Sequence, residues 1–194
     1  MNFQEVIDKR HSIREYEKKQ IPEKILKDII ISATKAPSAA NWQPWNFTII
    51  QNKKILYKIS KILCSSLKKE AEEYGKLNEK LKRTFNRFYS DFGNAPCLIL
   101  VHIDMEKKRT YRDSKLLSVA AAIENLMLSA INEELGTCWL GSVKSLKDAE
   151  KNINKLLKIK NKELVTGVII GYPKKGYKPL IRKKRKLNEV LKFV

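Results

Sequence analysis

The chain has 194 residues, 43% of them hydrophobic, with 40 Lys and Arg against 21 Asp and Glu for a formal charge of +19. That size fits one α/β or α+β domain with a full core, and three cysteines without a Cys-x-x-Cys pair plus two histidines support neither a disulfide framework nor a zinc site. A charge of this sign attracts nucleic acid, anionic membranes or phosphorylated ligands, yet the lysines are spread over every segment and read as a solvated basic surface.

The chain opens on Met-Asn-Phe-Gln-Glu, without the apolar run of a signal peptide. No stretch approaches the ~18 uninterrupted apolar residues of a spanning helix, so a soluble, cytoplasmic protein in a reducing compartment is expected. Asn2 is placed to cap a short helix whose Phe3, Val6 and Ile7 share a face. That helix runs into an elbow, Arg10-His11-Ser12-Ile13-Arg14. Two guanidinium groups and a hydroxyl in five residues can grip a phosphate, or can sit as solvated cations at a helix end.

Pro22 opens a second helix with Ile25, Leu26, Ile29, Ile30 and Ala33 on its apolar side. It leads into residues 36–47, Ala-Pro-Ser-Ala-Ala-Asn-Trp-Gln-Pro-Trp-Asn-Phe, which the two prolines and the polar trio Ser38, Asn41 and Gln43 mark as an ordered loop. Donors this close to Trp42 and Trp45 suit a flat, heteroatom-rich ligand. The same residues also suit a helix-to-strand turn with its tryptophans in the core.

Residues 46–51, with Phe47, Thr48, Ile49 and Ile50, read as a buried strand, and residues 54–67 as a helix through Ile55, Ile59, Ile62 and Leu63. After Gly75, the stripe Leu77, Leu81, Phe85, Phe88 and Phe92 fits either core or a mobile cover over a pocket. Residues 97–103 are continuously apolar and read as a central strand, with His102 as a structural histidine. Residues 115–135 are apolar almost all round, apart from a stripe of Ser118, Asn125, Ser129 and Asn132. A helix like that is buried on several sides, and a second subunit is expected over part of it.

Gly136-Thr137-Cys138-Trp139-Leu140-Gly141 is a short strand with glycine at each end, where a ligand could approach the backbone or a helix could simply be capped. A helix over 146–159 and a strand over 163–172 follow. Five cations at 182–186 then precede an apolar tip of Val190, Leu191 and Phe193, so the tail is either a solvated run, a nucleic-acid patch or a segment that docks on something. No glycine-rich nucleotide loop and no nucleophile elbow occurs. Ligand-gripping loops with few acid–base residues point to a cofactor that performs the reaction itself.

In this order, the Arg-x-Ser-x-Arg elbow, the Ala-Pro-Ser-x-x-Asn-x-Gln-Pro-Trp loop, the helix carrying Glu124-Asn125-Leu126, residues 136–141 and the basic tail resemble the FMN-dependent nitroreductase family. The resemblance covers nearly the whole chain. It implies an α+β fold with a central, mostly antiparallel, five-stranded-type sheet flanked by helices, in an intertwined homodimer with two FMN sites at its interface. Residues 1–194 would form one FMN-binding domain, with 180–194 as an extension docking on the partner subunit.

By the same resemblance, Arg10, His11, Ser12 and Arg14 would hold the phosphate, the ribityl chain and the polar edge of the ring. Pro37, Ser38, Asn41 and Gln43 would come from the partner, with Trp42 and Trp45 as packing residues. Cys138, Trp139, Leu140 and Gly141 would lie against the ring, and Lys183 and Arg185 would close on the phosphate. Ser118 and Glu124 stand where the family often has Asp and Gln. The implied activity is ping-pong hydride transfer through flavin N5, from NADH or NADPH to a nitroaromatic, quinone or related small molecule. It needs no metal and no catalytic side chain, and no nucleic acid or membrane partner. The alternatives are a protein that stores or delivers FMN and a basic nucleic-acid-binding protein.

Overall fold

The structure is a computed structural model that describes residues 1–74, 86–146, 148–180 and 183–194. Four strands, β1 (Asn46–Ile50), β2 (Cys97–Asp104), β3 (Gly136–Leu140) and β4 (Lys162–Gly171), form one antiparallel sheet in the order β1-β2-β4-β3. Among the described residues seven helices flank it: α1 (Phe3–Lys9), α2 (Glu23–Thr34), α3 (Lys53–Tyr74), α4 (residues 86–91), α5 (Arg109–Asn132), α6 (Ser142–Ser145) and α7 (Ala149–Leu157). The α+β reading therefore holds, with four strands in one chain rather than five. Beyond β4 the chain carries Pro173 and Pro179, which lack the N–H a ladder needs, and among the described residues no further strand forms.

Alternation along β2 divides the core in two. Leu98 and Leu100 point to a cluster with Leu56, Ile59 and Leu63 of α3 and Ile153 of α7, while Cys97, Ile99, Val101 and Ile103 point to one with Leu26 and Ile29 of α2 and Val119, Ile123 and Leu126 of α5. Each fully buried Leu or Ile is worth roughly 1.5–3 kcal/mol, so the two layers fix the sheet against its helices. A shift of register between Val101 and His102 sets two residues of β4 against one of β2. His102 lies buried beyond it, and its Nε2 donates to Asn154 Oδ1 at 2.9 Å. The structural reading of that histidine is borne out.

α1 begins with a capping box, in which Asn2 Oδ1 accepts from Glu5 N at 2.9 Å and the Glu5 carboxylate accepts from Asn2 N at 3.3 Å. Only Val6 of its expected apolar face is buried, and Phe3 and Ile7 stay exposed. β1 also departs from expectation. Among the described residues it pairs only with β2, so it is an edge strand there, with Ile49 exposed. Part of the polar stripe of α5 is packed, since Asn125 and Ser129 bond Ser32 near the end of α2 at 3.4 and 3.1 Å, while Asn132 at the end of the helix is exposed. Phe88 and Phe92 belong to the core on the α3 side, whereas Leu77, Leu81 and Phe85 lie outside the described residues.

At the far end of β4, Glu163 takes two bonds from Arg112, at 2.9 and 2.6 Å, and an ion pair with Lys144 at 3.0 Å. Lys144 also binds Glu150 at 2.7 Å, and the Arg112 hydrogen bonds hold the Glu163 carboxyl below its usual range despite its burial. The cluster joins α5, α6, α7 and β4, so α6 is anchored directly after Gly141.

Candidate functional site

The elbow is built onto the free edge of β3. Ser12 and Thr137 form a parallel bridge, and Ile13 N donates to Thr137 O at 2.9 Å. A side chain at Gly136 would meet Ile13 Cγ1 at 2.5 Å, so glycine there permits the close approach. Two stretches far apart in sequence, 10–14 and 136–141, are thereby brought together as expected.

Three fasteners hold the elbow from the other side. Tyr16, buried to 3%, donates its hydroxyl to Ile13 O at 2.6 Å, and its amide donates to Gly93 O at 2.8 Å. Gly93 packs directly on the Arg14 carbonyl. Neither Tyr16 nor Gly93 carries a local sequence signal, since each contact is made only when remote segments meet.

Arg10 ends α1 and its Nε lies 3.7 Å from Glu124 Oε1 on α5. The Arg14 side chain donates to Ser12 O at 3.4 Å and has no carboxylate partner among the described residues. His11 and Ser12 are half-buried beside it. Arg14 is near enough to oppose the upward shift that burial imposes on the thiol of Cys138 and on the phenols of Tyr16 and Tyr89. A positively charged guanidinium thus borders the start of the Cys138–Gly141 segment.

Within that segment Cys138 and Leu140 are buried into the core, so their side chains face away from any ligand and their backbone is what the site can offer. Trp139 is 39% exposed on the opposite face of β3. A side chain at Gly141 would meet nothing within 4 Å, so the chain itself does not require glycine there. Ser142, the next residue, has a buried hydroxyl that lies beside the phenol of Tyr89. A cleft of about 530 Å³ adjoins the elbow, with Arg14, Tyr16, Phe88, Gly93 and Tyr177 among its walls.

The loop after α2 folds into a short 3-10 turn, Ala39–Asn41, with left-handed backbone at Ala40 (φ 47), Asn41 (φ 53) and Gln43 (φ 45). Asn tolerates that region, whereas Ala and Gln are strained in it, and such strain persists only where surroundings enforce it. Here Gln43 N donates to Ser38 Oγ at 3.0 Å, Gln43 Nε2 to Asn41 Oδ1 at 3.1 Å, and Ala39 N to Ser118 Oγ at 3.2 Å. Ser118 is thus a structural partner of the loop. Trp45 packs on the core beside α2 and α5, and Trp42 stands edge-on to Tyr111 at 5.3 Å, so both tryptophans pack. Pro37, Asn41 and Gln43 are exposed.

Within one chain these parts do not converge. Elbow and loop both rest on α5, at Glu124 and Ser118, about 9 Å apart along the helix axis. No hydrogen bond or ion pair joins them among the described residues. Lys183 is exposed, Arg185 is turned onto Glu189 with Nη2 donating to its carbonyl at 2.6 Å, and Arg182 lies outside the described residues. The single chain therefore presents an elbow with a free cation, an open glycine and an exposed strained loop as separate surfaces.

The Nitroreductase family profile matches residues 7–172. An Archaeoglobus fulgidus protein with the provisional name NADH dehydrogenase/NAD(P)H nitroreductase is 31% identical over 166 residues, covering 85% of this chain and 82% of its own. Iodotyrosine deiodinase from Hydra vulgaris is 27% identical, covering 94% of this chain and 69% of its own. The fold matches that of a nitroreductase with bound FMN from Bacteroides fragilis with a TM-score of 0.77, at 24% identity, over 100% of this chain and 99% of the other.

Proposed function

The chain belongs to the nitroreductase family, and from that membership we propose that it is an FMN-dependent NAD(P)H oxidoreductase acting as a homodimer on nitroaromatic or quinone acceptors. The observation that carries the reading is the elbow seated on β3, with the Arg14 guanidinium, unpaired by carboxylate among the described residues, beside the backbone of Cys138–Gly141. Its donor chemistry fits the cofactor. FMN ends in a phosphate dianion, and Arg10, Ser12 and Arg14 supply charged and neutral donors within five residues.

Bound FMN supplies hydride acceptance and donation at its ring, and no side chain of the protein has to act as acid or base for it. The protein's part is to bind, orient and shield. Arg10 and Ser12 hold the phosphate and ribityl end, and Arg14 and His11 present cationic and polar donors to the edge of the ring that gains negative charge. The open position at Gly141 admits the ring against the backbone of β3, with Ser142 close behind. Pro37, Ser38, Asn41 and Gln43 of the second subunit complete the site, and Lys183 and Arg185 of the tail close on the phosphate.

The second subunit is supported by what one chain leaves uncovered. Leu117 of α5 is 74% exposed and Phe3 of α1 is 70% exposed, with Ile7, Ile31 and Phe193 exposed as well. Covering these groups and the tail is the work of a large, apolar interface of the obligate kind.

Donor and acceptor share one site in this account. Initial rates with NADPH and a nitroaromatic or a quinone are therefore expected to give parallel double-reciprocal lines, and intersecting lines would contradict it. The Hydra relative favours a second reading, reductive removal of iodide from an iodinated phenol. Release of iodide from iodotyrosine, without consumption of nitro or quinone acceptors, would select it.

A further inference from the structure

We propose that Tyr16 and Gly93 are positioning residues that lock the elbow in the conformation in which Arg14 meets the flavin. The inference rests on the functional reading above. Arg14 lies outside any helix or strand, so its direction is set by the residues on either side. Ile13 is pinned at both backbone groups, through its N–H on Thr137 O at 2.9 Å and its carbonyl under the Tyr16 hydroxyl at 2.6 Å. Tyr16 is pinned in turn through its amide on Gly93 O at 2.8 Å. The backbone of Arg14 is therefore held between two fixed points.

Gly93 completes the lock from below. A Cβ there would fall 1.9 Å from the Arg14 carbonyl oxygen, and the φ of +63 is one that side chains disfavour. The neighbouring Phe92 (φ 53) and Asn94 (φ 65) are left-handed too, a conformation that glycine and asparagine tolerate and in which Phe92 is strained. It is enforced by the burial of Phe92 at 2% and by Asp91 Oδ1, which accepts from Gly93 N at 2.8 Å. Such a device keeps a donor ordered before its ligand arrives, which lowers the entropy lost on binding. Tyr16 stands in the cleft wall but is only 3% exposed, with its hydroxyl turned onto Ile13 O, so its influence passes through Ile13 and the elbow.

The test compares Tyr16→Phe with wild type and with Ile59→Val, a packing change on α3 in the same core cluster. Tyr16→Phe keeps the ring and deletes only the hydroxyl. Three quantities are read: the FMN dissociation constant of the apoprotein, the midpoint potential of the bound flavin, and amide exchange at Ile13. Tyr16→Phe is expected to weaken FMN about 3- to 10-fold, the scale of one hydrogen bond, with a shifted potential and faster exchange at Ile13. Gly93→Ala is expected to exceed it. Ile59→Val is expected to lower the melting temperature while leaving FMN affinity within about twofold of wild type.

Wild-type affinity and potential in Tyr16→Phe would overturn the proposal, as would an equal loss of FMN in Ile59→Val. A wild-type apoprotein that takes up no FMN would instead remove the functional reading and the proposal with it, an outcome visible before any variant is compared.

Discussion

At the scale of single residues, the site depends on Arg14 and Ser12. Among the described residues Arg14 bonds a carbonyl and no carboxylate, and Ser12 is held by its backbone at the β3 edge, which leaves its hydroxyl available. Arg14→Ala and Ser12→Ala should each weaken FMN by roughly 1–3 kcal/mol, the range for a charge-assisted or buried bond. Fluorescence titration of the two apoproteins checks this, and unchanged affinity in both would contradict the assignment. These residues were legible because two cations and a hydroxyl in five positions form a local pattern. Tyr16 and Gly93 were not, since a tyrosine and a glycine gain their roles only from contacts with Ile13 and Arg14 that no spacing encodes. Burial pushes all three cysteine thiols above their ordinary range, that of Cys97 up to about 12.

At the scale of elements, helix and strand positions followed the apolar periods closely, because β2 and β4 are buried almost throughout and α5 buries Val119, Ile123 and Leu126 on one side. The misreadings are of environment rather than of type. Phe47-Thr48-Ile49-Ile50 has the composition of a central strand, and only pairing shows that one of its edges is open. The apolar face of α1 was likewise read correctly as a face but finds no cover in its own chain. His102 gives the elements packed around β2 a pH dependence. Burial holds its pKa below the ordinary 6.5, so the unfolded chain takes up a proton before the folded one does. Stability is therefore full above about pH 6.5 and falls as the pH drops through that value toward the lower folded pKa. Melting curves from pH 7.5 to 5 should show this loss, and His102→Gln should flatten it. Glu163 acts in a separate, more acidic window, because its lowered pKa adds stability that is lost only below the ordinary carboxylate value of 4.5.

At the scale of the whole molecule, one chain supplies an elbow, a strained loop and a basic tail that do not meet. Each part was recognisable from its local pattern, and the all-round apolar helix and the family resemblance pointed to a second copy that joins them, whereas the geometry of the junction is not encoded in any local spacing. Removal of residues 180–194 should convert a dimer into a monomer and strip the flavin together, as sedimentation and absorbance would record. A truncated protein that stays dimeric and yellow would show that the tail is not part of the site. The +19 charge adds a field that draws anionic dinucleotides in, at rates that fall with salt.

The most direct measurement is an anaerobic titration of the purified full-length protein, following its visible absorbance as NADH or NADPH is added. The account predicts a yellow protein whose flavin bands bleach with one equivalent of at least one nicotinamide per flavin and return when a quinone or nitroaromatic is admitted. A protein that remains colourless after incubation with FMN, or a bound flavin that neither nicotinamide bleaches, would contradict it.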